Sequence, residues 1–176
     1  GIFAKIGGGT QVGGPKQDTL PIVIEPMRIR DVGAVLEVEK LSFTTPWSRA
    51  AFMSELLNNE RAFYLVARNT ARRGPLPWNT GQVIGYIGVW LIYDEGHITN
   101  VAVHPDYRQQ GIGRRLMEAI EAVCVTKGVK RMTLEVRVSN LVAQRLYRDL
   151  GYISVGVRPG YYQDNNEDAL IMWKEL

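Results

Sequence analysis

Asn100-Val101-Ala102-Val103-His104-Pro105-Asp106-Tyr107-Arg108-Gln109-Gln110-Gly111-Ile112-Gly113-Arg114 decides the fold of this chain. Its first half ends an apolar strand that starts near His97, and its second half opens the most regular helix in the sequence. From Ile112 onward, Leu116, Ala119, Ile120 and Val123 recur on one helical stripe, while Arg114, Arg115, Glu118, Glu121 and Lys127 fall elsewhere, and Gly128 supplies a stop. Gly111 and Gly113 let the backbone approach a ligand, and a helix start directs free N–H groups outward. With Arg108, Arg114 and Arg115 alongside, the segment suits a pyrophosphate; the plain alternative is a glycine-rich turn with solvated arginines.

Two other phosphate motifs fail on their context. Gly111 and Gly113 begin a dinucleotide fingerprint, but its third glycine position holds Leu116, and a strand meander precedes it. Gly9 and Gly14 have the spacing of a phosphate loop, yet Pro15 stands where the lysine should be, with Lys16 one place late.

Outward from that segment the pattern alternates strands and helices. Ile22 to Ile29 reads as a strand, and Asp31 is placed to cap a helix carrying Val35, Val38 and Leu41. Phe43 to Ser48 breaks it, and Ser48 caps a second helix to about Leu57. Phe63 to Ala67 is a strand, Arg68 to Gln82 a long hairpin loop, and Val83 to Tyr93 another strand. After the long helix, Arg131 to Val138 alternates as a strand, and Ser139 caps a helix bearing Val142, Ala143, Leu146 and Leu150, stopped by Gly151. Strands near Tyr152 to Val157 and Ala169 to Lys174 finish a mixed α/β sheet of about seven strands with about four helices. Residues 1–20 are glycine-rich without apolar period and are expected to be a flexible tail; 21–176 form a single domain.

A length of 176 residues and a net charge of +3 suit one globular domain, and the basic residues cluster at a phosphate-sized spot, unlike an extended nucleic-acid groove. No apolar run is long enough to cross a membrane, and there is no secretory pattern, so a cytoplasmic location is expected. Cys124 follows Ile120 by one helical turn and reads as a small core residue. His97 and His104 have no ligand or triad spacing, so no metal is expected.

The run Asn100 to Pro105 followed by Arg-Gln-Gln-Gly-Ile-Gly resembles the acetyl-CoA motif of the GCN5-related N-acetyltransferases, Q/R-x-x-G-x-G/A. Leu134-Glu135-Val136-Arg137-Val138-Ser139-Asn140, then Leu146-Tyr147 and Leu150-Gly151-Tyr152, is similar to the same family over roughly residues 25 to 174. The Leu-Glu-Val-Arg strand, Phe43-x-x-Pro46-Trp47-Ser48 and Tyr161-Tyr162 before Glu167-Asp168-Ala169 resemble its RimI type, which acetylates the N-terminal alanine of a small-subunit ribosomal protein. That resemblance implies a mostly antiparallel sheet whose fourth and fifth strands splay around acetyl-CoA. Backbone groups of Val101, Ala102 and Val103 would meet the pantetheine arm. The segment Arg108, Gln109, Gln110, Gly111, Ile112, Gly113 and Arg114 would hold the pyrophosphate, and Asn140 would touch the arm's far side. Pro46, Trp47, Tyr161 and Tyr162 would flank an acceptor peptide, the tyrosines lying in the loop between the last strands.

Acetyl transfer to an amine requires a neutral amine and a stabilised leaving thiolate. Alternation of Met132, Leu134, Val136 and Val138 puts Thr133, Glu135 and Arg137 on the opposite face, making Glu135 the candidate base; a surface Glu135–Arg137 pair is the alternative. An α-amine of pKa near 8 is roughly one-fifth neutral at pH 7.4, a lysine about one-thousandth, which favours an N-terminal acceptor over a lysine side chain. Tyr147 meets the sulfur in the family pattern, although its spacing with Ala143 and Leu150 also fits a core aromatic. Its phenol is a weaker acid than a thiol, so full proton transfer to the thiolate is uphill by about 2 kcal/mol and a hydrogen bond is the milder role. An acetyltransferase of a free small amine and a non-catalytic acyl-CoA-binding domain are the alternatives.

Overall fold

The computed structural model describes residues 20–76 and 80–176. The expected tail therefore lies outside the described residues except for Leu20, which packs against the core, and so do Pro77 to Asn79 of the long loop. In chain order the elements are β1 (Ile22–Pro26), α1 (Val32–Ser42), α2 (Arg49–Asn58), β2 (Ala62–Asn69), β3 (Gln82–Ile92), β4 (Glu95–Val103), α3 (Ile112–Thr126), β5 (Arg131–Arg137), α4 (Leu141–Asp149), β6 (Ile153–Tyr162) and β7 (Glu167–Glu175). This is the order read from the sequence, with short 3-10 turns added at Ile29–Asp31 and Pro105–Tyr107. The strands form one sheet in the order β1-β2-β3-β4-β5-β7-β6, antiparallel throughout except between β4 and β5.

Two apolar layers hold the helices on. On one face Val35, Val38 and Phe52 of α1 and α2 pack with Tyr64, Val66 and Tyr86 of the sheet. On the other, Leu116 and Ile120 of α3 and Tyr147 of α4 meet Ile87, Met132, Leu134 and Met172. Cys124 is fully buried here, and burial pushes its thiol up to about 11, as suits a packing residue.

Several local expectations are corrected. Asp31 does not cap α1 with its side chain; its carboxylate accepts from the Arg28 amide at 2.8 Å and from buried Arg68 at 2.7 Å, and Arg68 also pairs with Glu25. Leu41 and Val142 are exposed, because α1 and α4 each turn a narrower stripe inward than the period suggested. Glu121 is buried on the apolar side of α3, where the Tyr152 hydroxyl (2.9 Å) and Lys174 (2.8 Å) satisfy it. Asn140, and not Ser139, caps α4, accepting from the Ala143 amide at 3.1 Å. Ser48 caps α2 as expected.

The parallel pairing of β4 with β5 runs only through Glu95↔Arg131, Gly96↔Met132 and His97↔Thr133. Beyond it Ile98 faces Val89 and Asn100 faces Gly88 across β3, so Thr99 is an extra residue, a bulge that bends β4 away from β5. Gly88 is required opposite this bulge: a Cβ there would fall 2.2 Å from the Tyr64 ring and 2.8 Å from the Asn100 side chain. Gly88→Ala is therefore expected to destabilise the protein by about 1–3 kcal/mol through overpacking. Thermal unfolding should show a lowered Tm; an unchanged one would mean that the bulge tolerates a side chain.

Candidate active site

Where β4 leaves β5, β4 has an unpaired edge. The His104 amide bonds to Ile84 of β3, so by alternation Ala102 also faces β3, while the backbone groups of Val101 and Val103 turn toward β5. Ala102 itself is buried with its side chain on the α1 side. The Val103 carbonyl accepts from Arg108 Nε at 3.1 Å, and Arg108 also reaches Ser42 at the end of α1.

The turn from β4 into α3 is held in left-handed conformations, with Gln109 at φ 61° and Gly111 at φ 77°. Gly111 is the N-cap and lends no side chain, so the first amides of α3 have no capping partner from it. Gly113 lies close to Leu146 and Val103, bringing the start of α3 against the diverging edge. Gln110 and Arg108 are exposed, whereas Ile112 points into the core. Arg114 stays near the turn, with Glu118 at 3.9 Å and Asp149 at 4.0 Å. Arg115 does not join it; its guanidinium reaches back to the Ile22 carbonyl.

A cavity of about 260 Å³ opens at the divergence. Glu135 and Tyr147 line it together, with Val101 and Asn140 on the cleft side and Trp47 and Tyr162 on the other. Pro46 and Tyr161 are exposed and not among its lining residues; Tyr161 packs edge-on against Tyr162 instead. Both tyrosines belong to β6, which extends to Tyr162, and not to the loop after it. Asp164 of that loop ties two cavity-lining residues together, accepting from Thr44 Oγ1 and from Arg137, each at 2.8 Å. Arg137 lies 3.9 Å over the Tyr162 ring, and burial, partly offset by that cation, pushes the Tyr162 phenol up to about 12.

Glu135 and Arg137 do share a face, but they do not pair. Glu135 Oε2 is 2.6 Å from His97 Nε2, and Oε1 is 3.3 Å from Arg158 Nε. Burial alone would raise the Glu135 carboxyl; the hydrogen bond and charge of His97, with Arg158, outweigh it and hold it below the usual range. An ionised carboxylate only accepts, so His97 carries a proton on Nε2 toward it. Tyr147 is buried, its hydroxyl has no hydrogen-bond partner among the described residues, and burial first, then the nearby Tyr162, pushes its phenol far up. It is thus kept as a neutral donor facing the cavity.

A second carboxylate lines the same cavity with the opposite bias. Glu39 of α1 accepts from the Trp47 amide at 3.0 Å and from the Tyr86 hydroxyl, to which Asn100 donates at 3.2 Å. Burial raises its carboxyl despite those bonds. Glu39, His97 and Arg158 were not legible as site residues. His97 had one signal available: it lies on the same face of its strand as Glu135 does of the neighbouring one, but only the β4–β5 register brings them together. Among the described residues no group of three or more His, Cys, Asp or Glu side chains is placed to hold a metal, and no helix is long and apolar enough to cross a membrane.

The seven-stranded sheet thus parts between β4 and β5, with a glycine turn at the parting and Glu135 and Tyr147 lining the cavity inside it. Residues 33–152 match the model of the acetyltransferase (GNAT) family, and the chain belongs to that family. It is 33% identical to the [ribosomal protein bS18]-alanine N-acetyltransferase of Escherichia coli (strain K12), over 85% of this chain and 94% of that one. It is 43% identical to a Bacillus subtilis (strain 168) protein that bears the same name provisionally, over 85% and 93%. The crystal structure of the Escherichia coli ribosomal-protein-S18-alanine N-acetyltransferase superimposes with a TM-score of 0.75 at 30% identity, covering 88% of this chain and 94% of that one.

The dyad makes one direct prediction. In His97→Ala the burial of Glu135 remains while its principal partner is gone, so its carboxyl should titrate at higher pH than in the wild type. Carboxyl carbon chemical shifts followed through an acid titration would show this; an unmoved titration would remove His97 from the electrostatics of the site.

Proposed function

We propose that this enzyme transfers the acetyl group of acetyl-CoA directly to the α-amine of a protein N-terminus, the N-terminal alanine of a small-subunit ribosomal protein being the expected acceptor. The observation that carries the reading is the cavity at the β4–β5 divergence, lined by Glu135, Tyr147, Trp47 and Tyr162. The names borne by the Escherichia coli and Bacillus subtilis relatives point to the same acceptor.

The donor fits what the residues offer. The backbone edge at Val101 and Val103, which no strand pairs and where only the Val103 carbonyl has a side-chain donor, suits the amides of a pantetheine arm. The left-handed turn over Gln109 to Gly111 and the open start of α3 through Ile112, Gly113 and Arg114, beside Arg108 and Gln110, suit a pyrophosphate. Asn140 uses its side-chain oxygen for the α4 cap, which leaves its amide N–H groups for the far side of the arm. When bound, acetyl-CoA supplies an activated acyl group with a thiolate leaving group; the rest of the chemistry belongs to the chain.

Glu135 takes the proton from the acceptor amine. An α-amine is already roughly one-fifth neutral at pH 7.4. A carboxylate held ionised by His97 and Arg158 is in the right state to attract the cationic form and to receive its proton. Tyr147, neutral and buried, donates a hydrogen bond to the developing thiolate. Trp47 and Tyr162 wall the acceptor side, and their positions are fixed by the Glu39 bond to the Trp47 amide and the Arg137 stack on Tyr162.

Glu135→Gln should lower kcat by about 10²–10⁴-fold, the range for loss of a general base. Tyr147→Phe should lower kcat much more than it weakens acetyl-CoA binding, as loss of one donor to a developing anion does. Steady-state kinetics on a short peptide beginning with alanine, with products mapped by mass spectrometry, tests both variants and the acceptor together. The expected product is acetylated at the α-amine, with an internal lysine untouched and an N-acetylated peptide inert. Acetylation of the lysine alone, or of small amines but no peptide, would overturn the acceptor. Full turnover in both variants would overturn the catalytic roles.

A further inference from the structure

Glu135 lines a second cavity as well as the first. This outer groove, about 380 Å³, lies on the sheet face over β5, β7 and β6, and its floor and walls include Thr133, Ile171, Trp173, Val155 and Ile92. His97 lines it too and is not among the lining residues of the inner cavity, so the His97–Glu135 bond stands between them. Among the described residues α1 and α2 pack on this face of the sheet only further across, around Tyr64, Val66 and Tyr86. The apolar surface is left open: Val155 is 53% exposed, and Ile153, paired with Trp173 on the same face, is 65% exposed.

The direction of the groove follows from β5. Arg137, Glu135 and Thr133 point from one face of the strand at successive two-residue steps, each about 7 Å apart. At the Arg137 end the way is crossed by the Thr44–Asp164–Arg137 bonds, which tie the α1–α2 and β6–β7 connections together. At the Thr133 end lies the groove. An acceptor whose amine sits beside Glu135 therefore has a closed side and an open, apolar side.

We infer that the outer groove binds the acceptor polypeptide just after its first residue, receiving apolar side chains of its next two or three residues over Trp173 and Val155. The inference rests on the reading of the acceptor as a protein N-terminus. Continuity through Glu135 argues for this occupant, and so does the length: from Glu135 to Thr133 is one two-residue step of extended chain, with Ile171 and Trp173 of β7 level with the two positions. Arg158 and Glu95 at the rim leave the groove with both signs of charge at its edge and an apolar floor, which suits a neutral segment better than an acidic or a basic one.

The test compares free-amine peptides of two, four and six residues, all beginning with alanine, with leucine or aspartate at the third position. In the wild type KM is expected to fall at least 10-fold from the dipeptide to the leucine tetrapeptide, and to gain far less with aspartate. Val155→Asp, a substitution at an exposed position, should abolish that gain while leaving the dipeptide kcat and the acetyl-CoA KM unchanged. Equal KM across peptide lengths, or a Val155→Asp enzyme with the full gain, would overturn the groove and leave the N-terminal acceptor standing. Acetylation of none of the peptides would overturn both. Sedimentation of both proteins covers the remaining occupant: a wild-type dimer dissociated by Val155→Asp would show that a second copy takes this face, and would overturn the inference.

Discussion

A parallel pair that stops after three residues is the constraint on which this molecule depends. Within an otherwise antiparallel sheet, β4 and β5 are held together only from Glu95 to His97, and the extra residue at Thr99 turns β4 aside. Stopping a ladder inside a sheet exposes backbone groups that ordinarily must be paired. Here the cost is confined to one short edge, at Val101 and Val103, and the two helices that follow the diverging strands pack close by, with Gly113 of α3 against Leu146 of α4. The cleft is thus a property of strand geometry, and the apolar layers on either face keep it from closing by collapse.

That geometry also sorts the carboxylates. Glu135 and Glu39 line one cavity, yet Glu135 is held low by an imidazole and a guanidinium while Glu39, surrounded by a phenol, an indole-bearing turn and apolar side chains, is pushed up. Glu135 lines both the inner cavity and the open sheet surface, whereas Glu39 fixes the Trp47 turn to the sheet through the Tyr86 and Asn100 bonds. Environments of this kind drive the two carboxyls of a single cleft in opposite directions.

Local periodicity carried the element order because strands of period two and helices of period 3.6 alternate cleanly here, and because Ser48, Gly128 and Gly151 mark ends by their own backbone chemistry. The Gly111 turn, Glu135 and Tyr147 were legible as a motif whose spacing survives folding. What was not legible depends on long-range register. His97 meets Glu135 only because β4 and β5 pair in parallel, and Arg158 arrives from β6, whose length past Val157 has no apolar signature to announce it. Glu121 looked solvated by composition, and only the arrival of Tyr152 and Lys174 makes its burial acceptable. Asp31 leaves the expected capping role because Arg68, 37 residues away, claims its carboxylate.

The most direct test of the account is amide hydrogen exchange at β4 with and without acetyl-CoA. If the diverging edge takes the thioester arm as a surrogate strand, exchange at Val101 or Val103 slows at least 10-fold on addition of the donor, while Ala102, already bonded toward β3, changes little. Unchanged exchange at both valines, with protection appearing elsewhere, would contradict the claim that the β4–β5 divergence is the donor site.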